Sequence, residues 1–453
     1  MFMNINRKSF LALGGLGVGT AALAACGGPS TSGTAASTAS STDWSKVKPA
    51  AQISFMSSHP GSSQTIEQKL IDDFQKANPD IKVNLITGGA NYEEVAQKFQ
   101  TSLTGSDFPD VVVASDVWWF RYALSGAIVQ IDDLLKAVND KTDDFNTTLR
   151  NDYSYNNSHW AVPFARSTPL FYYNKDHFKA AGLPDRAPKT WSEFAEWAPK
   201  IQAANASVSG YQHAYQYPAL AGYAGWTLQN VLWGQGTGWS KDWTITANTD
   251  DSVKALQWVQ DTIVKDAWAG VSSKDAVGDM TAGAVSATVS STGDLVNTLK
   301  AAAAKNMNIG VGFLPGGPAS ASPVCPTGGA GLVIAAKASP ERQLAAAKFV
   351  SFITSAESTA QFSAATGYMP VRTSADMSAV LAKTPQIQVA LDQLKVTKSQ
   401  DYARVFLPGA DAEMAKAAGK IMNEKADVKA TLTTLQTTLQ GIYDKDVKPK
   451  LKS

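Results

Sequence analysis

The chain has 453 residues, and at roughly 150 residues per domain that suggests about three folding units. Hydrophobic residues at 44% and charged residues at 17% give a globular composition, and 40 basic against 39 acidic residues exclude a basic nucleic-acid face or an acidic tail. Two cysteines exclude a disulfide scaffold and a cysteine-built metal site, and the four histidines (His59, His159, His177, His213) lack the spacing of a histidine-built metal enzyme.

Residues 1–25 read as a signal peptide. Arg7 and Lys8 supply the positive start, Phe10 to Leu23 is apolar, and small residues precede Cys26. The run is too short and glycine-rich for a transmembrane span. Leu23-Ala24-Ala25-Cys26 resembles the bacterial lipobox, which implies lipidation at Cys26. An ordinary leader followed by an incidental cysteine is the alternative. Asn6-Arg7-Lys8-Ser9-Phe10-Leu11 resembles a twin-arginine signal with lysine in the second position. Without residues 1–25 the chain carries 38 basic and 39 acidic residues. Gly27 to Thr42 contains only Gly, Pro, Ser, Thr and Ala, and such a segment buries too little apolar surface to fold. Residues 26–46 therefore form a tether, whose sixteen-residue polar part spans roughly 22 Å as coil. With Cys26 lipidated, Cys325 is a small buried hydrophobe.

In the body, Ile53 and Phe55 alternate with polar positions, as in a strand. Ile66, Leu70, Ile71 and Phe74 follow at helical spacing, and Asn78-Pro79-Asp80 stops that helix. Ile81-Val83-Leu85 alternates again, Tyr92 to Leu103 is helical, and Val111 to Ala114 is an apolar strand suited to a sheet covered on both faces. This β-α-β-α-β order predicts an open α/β sheet. The grammar returns later. Leu170 to Tyr173 is a strand, Thr190-Trp191-Ser192-Glu193 is a capping box, and Ile309 to Leu314 and Gly331 to Ala335 are strands. Ser339-Pro340-Glu341 opens a helix, and Asp411 to Val447 is helical. Two α/β lobes account for the length.

The sequence lacks the GxSxG elbow of an α/β-hydrolase and the phosphate loop of an ATPase. Gly310-Val311-Gly312 meets Pro315 where a dinucleotide fold needs its third glycine. A carboxylate pair of glycosidase type stays open.

Leader, tether and two α/β lobes together resemble the solute-binding lipoproteins of ABC importers. Pro163 to Asp176, with Phe178 and Ala180-Ala181-Gly182-Leu183, is similar to the first crossover of the maltose-type family. Further segments resemble its glycerol-3-phosphate-binding, Ugp-type branch. These are Gly89-Ala90-Asn91-Tyr92-Glu93, Ser115-Asp116-Val117, Ser290 to Leu295, Thr327-Gly328-Gly329-Ala330, Thr366 to Pro370 and Ala403-Arg404-Val405. The resemblance covers nearly all of residues 50–445. It implies a two-lobe periplasmic-binding-protein fold of type II, with crossovers near 163–167, 324–328 and 368–373. Residues 47–165 and 326–369 would form the N-terminal lobe, and 166–325 and 370–453 the C-terminal lobe.

Tyr92, Asp116, Ser167, Trp226, Ser291, Gly328, Gly329, Tyr368 and Arg404 are the ligand candidates that follow from the resemblance. Arg404 offers a planar guanidinium to a phosphate, and Gly328 and Gly329 offer bare backbone N–H groups. Ser167 and Ser291 offer hydroxyls, with Ser290 not distinguished from Ser291. Asp116 follows an apolar strand, at the carboxyl end where open sheets bind ligands, and suits vicinal hydroxyls. A helix N-cap is its other reading. Asp116 stands where the branch often has Glu, and the shorter side chain leaves more room around glycerol. Tyr92, Tyr368 and Trp226 offer rings to a polyol, and Trp226 also suits choline. Trp118, Trp119, Trp233 and Trp239 read as core or cleft wall. Arg166, where a small polar residue is expected, puts a positive charge near the hinge.

The expectation is an extracytoplasmic, lipid-anchored, monomeric binding protein that is not an enzyme. It needs no cofactor or metal and binds no nucleic acid. It would capture glycerol-3-phosphate or a glycerophosphodiester and deliver it to the membrane subunits of an ABC permease. The alternatives are a binding protein for an uncharged oligosaccharide and a surface-anchored glycosidase or phosphodiesterase.

Overall fold

Alternating apolar residues build the first sheet. The computed structural model describes residues 42–58, 63–317 and 324–451. The leader, Cys26, most of the tether and His59 lie outside the described residues. Strands β1 (Gln52–Ser57), β2 (Lys82–Thr87) and β3 (Val111–Ser115) run parallel, with Ile53 opposite Val83 and Phe55 opposite both Leu85 and Val111. Every residue of β3 is buried, as its continuous apolar run requires. Helix α1 (Gln64–Ala77) ends at Asn78, and helix α2 (Tyr92–Ser102) starts at the Asn91 cap, whose side chain accepts the Glu94 N–H.

Two five-stranded sheets form the body. Strand β4 (Val162–Ser167) belongs to the first sheet, and after Thr168 strand β5 (Pro169–Asn174) belongs to the second. The second sheet continues with β6 (Tyr215–Tyr217), β7 (Ala269–Val271), β8 (Ala287–Ser291) and β9 (Ile309–Gly312). Strand β10 (Gly328–Ile334) returns to the first. The orders are β2-β1-β3-β10-β4 and β7-β6-β8-β5-β9. Instead of about three folding units, residues 43–453 form one unit built on these two sheets.

In each sheet four strands run one way and one runs against them. The exception is the strand that has just crossed over: β10 opposes β3 and β4, and β5 opposes β8 and β9. A strand leaving one sheet at its carboxyl end enters the next at the facing edge and must run away from it. Both sheets therefore aim the carboxyl ends of their parallel strands at one cleft, where open α/β sheets bind ligands. A third connection passes Tyr368–Thr373, where the Met369 N–H bonds the Arg166 carbonyl at 2.8 Å.

Helices cover both sheets. Helix α3 (Trp191–Asn205) opens on Thr190, whose Oγ1 accepts the Glu193 N–H at 3.0 Å. Only half of the capping box forms, because Glu193 turns to Arg186 and the Lys189 N–H. Helix α4 (Ala224–Gly234) is buried on nearly every side. Helix α5 (Pro340–Ile353) has the Ser339 cap and sets Phe349 edge-on to Phe55 and Phe74, at 5.4 and 5.3 Å. The C-terminal stretch forms two helices, α6 (Ala410–Met422) and α7 (Val428–Ile442). Cys325 is buried, and burial pushes its thiol far up from its ordinary range. No helix among the described residues is long and apolar enough to cross a membrane.

Candidate functional site

The cleft holds a cavity of about 400 Å³. Its wall contains Tyr92, Asp116, Ser167, Trp226, Ser291, Gly329, Tyr368 and Arg404, eight of the nine candidates. They come from residues far apart in sequence, and strand ends bring them together. Tyr92 opens α2 after β2, Asp116 follows β3, Ser167 ends β4, and Ser291 ends β8. Asp116 is not a helix cap, because the next helix begins only at Trp119.

The tyrosines form one wall. Tyr92 and Tyr368 share a hydroxyl contact of 3.2 Å, and the Tyr368 ring stacks on Phe362 at 5.7 Å. Burial pushes the Tyr368 phenol up to about 12, so it stays protonated at neutral pH. Trp226 donates its Nε1–H to the Thr327 carbonyl at 2.9 Å, which fixes the ring against the returning strand. The two serines separate. Ser291 lines the cavity and its Oγ accepts the Gly293 N–H, while the Ser290 hydroxyl donates to Asp294 Oδ2 at 2.5 Å.

Arg404 sits among acids. Its Nε donates to Asp411 at 2.8 Å, and its Nη1 donates to Gln400 and, at 3.4 Å, to Asp116. Gln400 also donates to Asp116. Burial raises the Asp116 carboxyl above the ordinary range, against the pull of Arg404. Burial disfavours the charge on Arg404, but Asp411 and Asp116 raise its pKa overall.

The two glycines differ. Gly329 has φ +101°, and a Cβ there would meet the Ala165 carbonyl oxygen at 2.0 Å. A bulge between Gly329 and Gly331 turns the strand at this point. Gly328 is not in the cavity wall. It lies behind Trp226, where a Cβ would meet the indole at 2.5 Å.

The Arg166 charge expected near the hinge is spent inside the protein. Arg166 is buried, pairs with Asp152 and donates to the Tyr153 hydroxyl at 2.7 Å. Trp119, Trp233 and Trp239 are buried, whereas Trp118 lines an outer chamber of about 480 Å³. Glu93, Val117, Ala221, Gly222 and Asp411 belong to both spaces.

Sequence reasoning missed Ser115, Tyr223, Asp294 and Asp411, all of which line the cavity. Asp294 stands three residues after Ser291 in a segment read only for its serines. Tyr223 precedes Trp226 by one helical turn. The Ser115 hydroxyl is buried and, among the described residues, has no hydrogen-bond partner. Buried polar groups are normally paired, so this orphan marks a place for ligand or water.

Residues 69–389 match the family described as bacterial extracellular solute-binding protein. The chain belongs to this family. This solute-binding protein is 29% identical over 339 residues to the sn-glycerol-3-phosphate-binding periplasmic protein UgpB of Salmonella typhimurium, which covers 71% of this chain and 75% of that one. The protein of the same name from Escherichia coli K12 is 28% identical over 336 residues, covering 70% and 74%. UgpB from Mycobacterium tuberculosis, crystallised in complex with glycerophosphocholine, matches with a TM-score of 0.82 and 44% identity over 87% of this chain and 99% of that one. The GacH receptor of Streptomyces glaucescens shares the fold alone, with a TM-score of 0.76 at 18% identity over 88% and 100%. The fold of this solute-binding protein is the maltose-binding type II arrangement of two lobes around a cleft.

Proposed function

We propose that the protein is the substrate-binding component of an ABC importer, capturing sn-glycerol-3-phosphate or a glycerophosphodiester and delivering it to the membrane permease. One observation carries this reading. A relative that aligns over 99% of its length at 44% identity was crystallised with glycerophosphocholine, and the corresponding cleft here gathers hydroxyls, aromatic rings and one arginine. Arg404, Tyr368, Ser167, Ser291 and the Gly329 amide take the phosphate, and Gly328 holds Trp226 in place from behind. Asp116, Tyr92 and Trp226 take the glycerol. The ligand favours closure of the lobes only through its higher affinity for the closed state.

The N-terminal lobe is residues 47–165 with 326–369, and the C-terminal lobe is 166–325 with 370–453. The change of sheet at Thr168, after a first-sheet strand that still includes Arg166 and Ser167, and the return at Gly328 fall within a few residues of these bounds. The protein acts outside the cytoplasm as a monomer, anchored through lipid on Cys26, and catalyses no reaction.

Isothermal titration of the full chain with glycerol-3-phosphate, glycerophosphocholine and maltose tests the reading. Micromolar or tighter binding of either phosphate compound, lost in Arg404→Ala, supports it. Binding of maltose alone keeps the importer role and overturns the phosphate site.

A further inference from the structure

Residues 399–406 are tied to the lobe of the second sheet. The Asp401 carboxylate accepts the Trp233 Nε1–H at 2.9 Å and the Trp239 N–H at 2.7 Å, and the Ala403 N–H donates to Ser240 Oγ at 2.9 Å. The same residues reach the lobe of the first sheet. The Phe406 ring is tilted against Phe120 at 4.7 Å and meets Trp119 edge-on at 5.9 Å. At the other end of the segment, Ser399 Oγ donates to Asp152 Oδ1 at 2.5 Å.

The receiving side is equally fixed in its own lobe. Phe120 is buried and packs edge-on against Tyr155 at 4.9 Å, and Trp119 packs edge-on against Tyr153 at 5.9 Å. Asp152 pairs with Arg166, which also donates to the Tyr153 hydroxyl. Arg166 lies where the three connections between the sheets meet. It belongs to β4, stands opposite Gly329 of β10, and its carbonyl accepts the Met369 N–H. Two surfaces, each anchored within one lobe, move as units. Contacts between them form as the lobes close and break as they open.

The binding residues lie between these contacts. Gln400 and Arg404, which fall between Ser399 and Phe406 in sequence, both donate to Asp116. Phe120, Asp152, Ser399 and Phe406 themselves stand outside the cavity wall and the outer chamber. They do not line the space that a ligand fills, yet they bracket the contact between Arg404 and Asp116.

We infer that the Phe120–Phe406 and Asp152–Ser399 contacts form a clasp that sets ligand affinity from outside the cavity, with Phe406 and Ser399 as positioning residues that act through Arg404 and Gln400. A contact made only between closed lobes raises the closed population, and apparent affinity follows that population. Release requires the clasp to open, so the clasp slows dissociation and leaves association unchanged. This rests on the reading of the protein as a solute-capturing component, whatever the solute.

The test measures affinity and binding kinetics on the full chain, beside thermal unfolding without ligand. Glycerophosphocholine, glycerol-3-phosphate and maltose are titrated first, and the one that the native protein binds most tightly is the probe for the variants. Ser399→Ala removes an exposed hydroxyl. It is expected to raise the dissociation constant about fivefold, the equivalent of one hydrogen bond. The change should lie in the dissociation rate, with the association rate within about twofold and the unfolding midpoint unchanged. Phe120→Leu and Phe406→Leu keep an apolar side chain in place, and each is expected to speed dissociation by about three- to tenfold. The two combined are expected to lose little more than either alone, because both remove the same contact. Lower unfolding midpoints with dissociation rates within about twofold of native would mark a purely structural role and overturn the inference. So would a Ser399→Ala protein that releases the probe as slowly as the native one. A native protein that binds maltose and neither phosphate compound overturns the phosphate site, and the clasp is then judged on maltose by the same rates. Binding of none of the three overturns the capture reading and the clasp with it.

Discussion

Arg404 and Asp116, 288 residues apart in sequence, meet across the cleft at 3.4 Å with both side chains buried. Asp411 holds the other edge of the same guanidinium at 2.8 Å. Removing the arginine strands the buried Asp116 carboxylate and the partly buried Asp411, and breaking a buried pair in this way costs about 3–5 kcal/mol. Arg404→Ala is therefore expected to lower the midpoint of thermal unfolding as well as to abolish phosphate binding. Adding Asp116→Asn is expected to recover part of the stability and none of the affinity. Denaturation curves and titrations on both variants check this. Loss of affinity with an unchanged unfolding midpoint is the outcome against it.

Ser115 separates affinity from stability. Its buried hydroxyl lacks a protein partner among the described residues, so Ser115→Ala removes an unsatisfied group. Stability is expected to hold or rise slightly. If a ligand hydroxyl pairs with it, affinity falls by a factor of about 5–10, which corresponds to one hydrogen bond of about 1 kcal/mol. Unchanged affinity would remove Ser115 from the site.

The glycine pair gives contrasting variants. Gly329 has a left-handed backbone and a carbonyl oxygen where a Cβ would sit. Gly329→Ala is expected to cost at least about 2 kcal/mol of stability. At Gly328 the obstacle is the Trp226 indole, so Gly328→Ala is expected to displace the ring. Tryptophan fluorescence should shift, and affinity should fall more than stability. Equal behaviour of the two variants in both assays would contradict these distinct roles.

The first sheet was legible because its elements are long and regularly patterned. Ile53 to Phe74 and Ile81 to Phe99 follow clean strand and helix periods, and Val111 to Ala114 is apolar throughout. The second sheet was less so. Tyr215–Tyr217 and Ala269–Val271 are three-residue strands, too short for any period, and exist because neighbouring strands pair with them. In the site, Asp116 could be placed because it follows a recognisable apolar strand, and Tyr92 through the family resemblance of Gly89 to Glu93. Asp294 and Asp411 lie where acidic residues commonly begin helices, so their sequence context carries no ligand signal. The charge balance around Arg404 emerges only when Asp116, Gln400 and Asp411 are folded together.

Glu67 gives the fold a pH dependence. It is buried in α1 and accepts hydrogen bonds from Ser57 Oγ at 2.7 Å and Ser63 Oγ at 3.2 Å. Burial outweighs these bonds and pushes its carboxyl up to about 7 from the ordinary 4.5. A raised folded-state pKa means that the folded protein holds its proton more tightly than the unfolded chain. The stability this gives is fully present below about pH 4.5 and is lost as pH rises through about 7. At 1.36 kcal/mol per pH unit, the loss is about 3 kcal/mol. Glu67→Gln stays neutral and keeps groups able to bond both serines. It is expected to be more stable than the native protein at pH 8 and to match it near pH 4. Urea denaturation of both at the two pH values measures the difference. A gap of the same size at pH 4 and pH 8 would show that packing, not the proton, sets the role of Glu67.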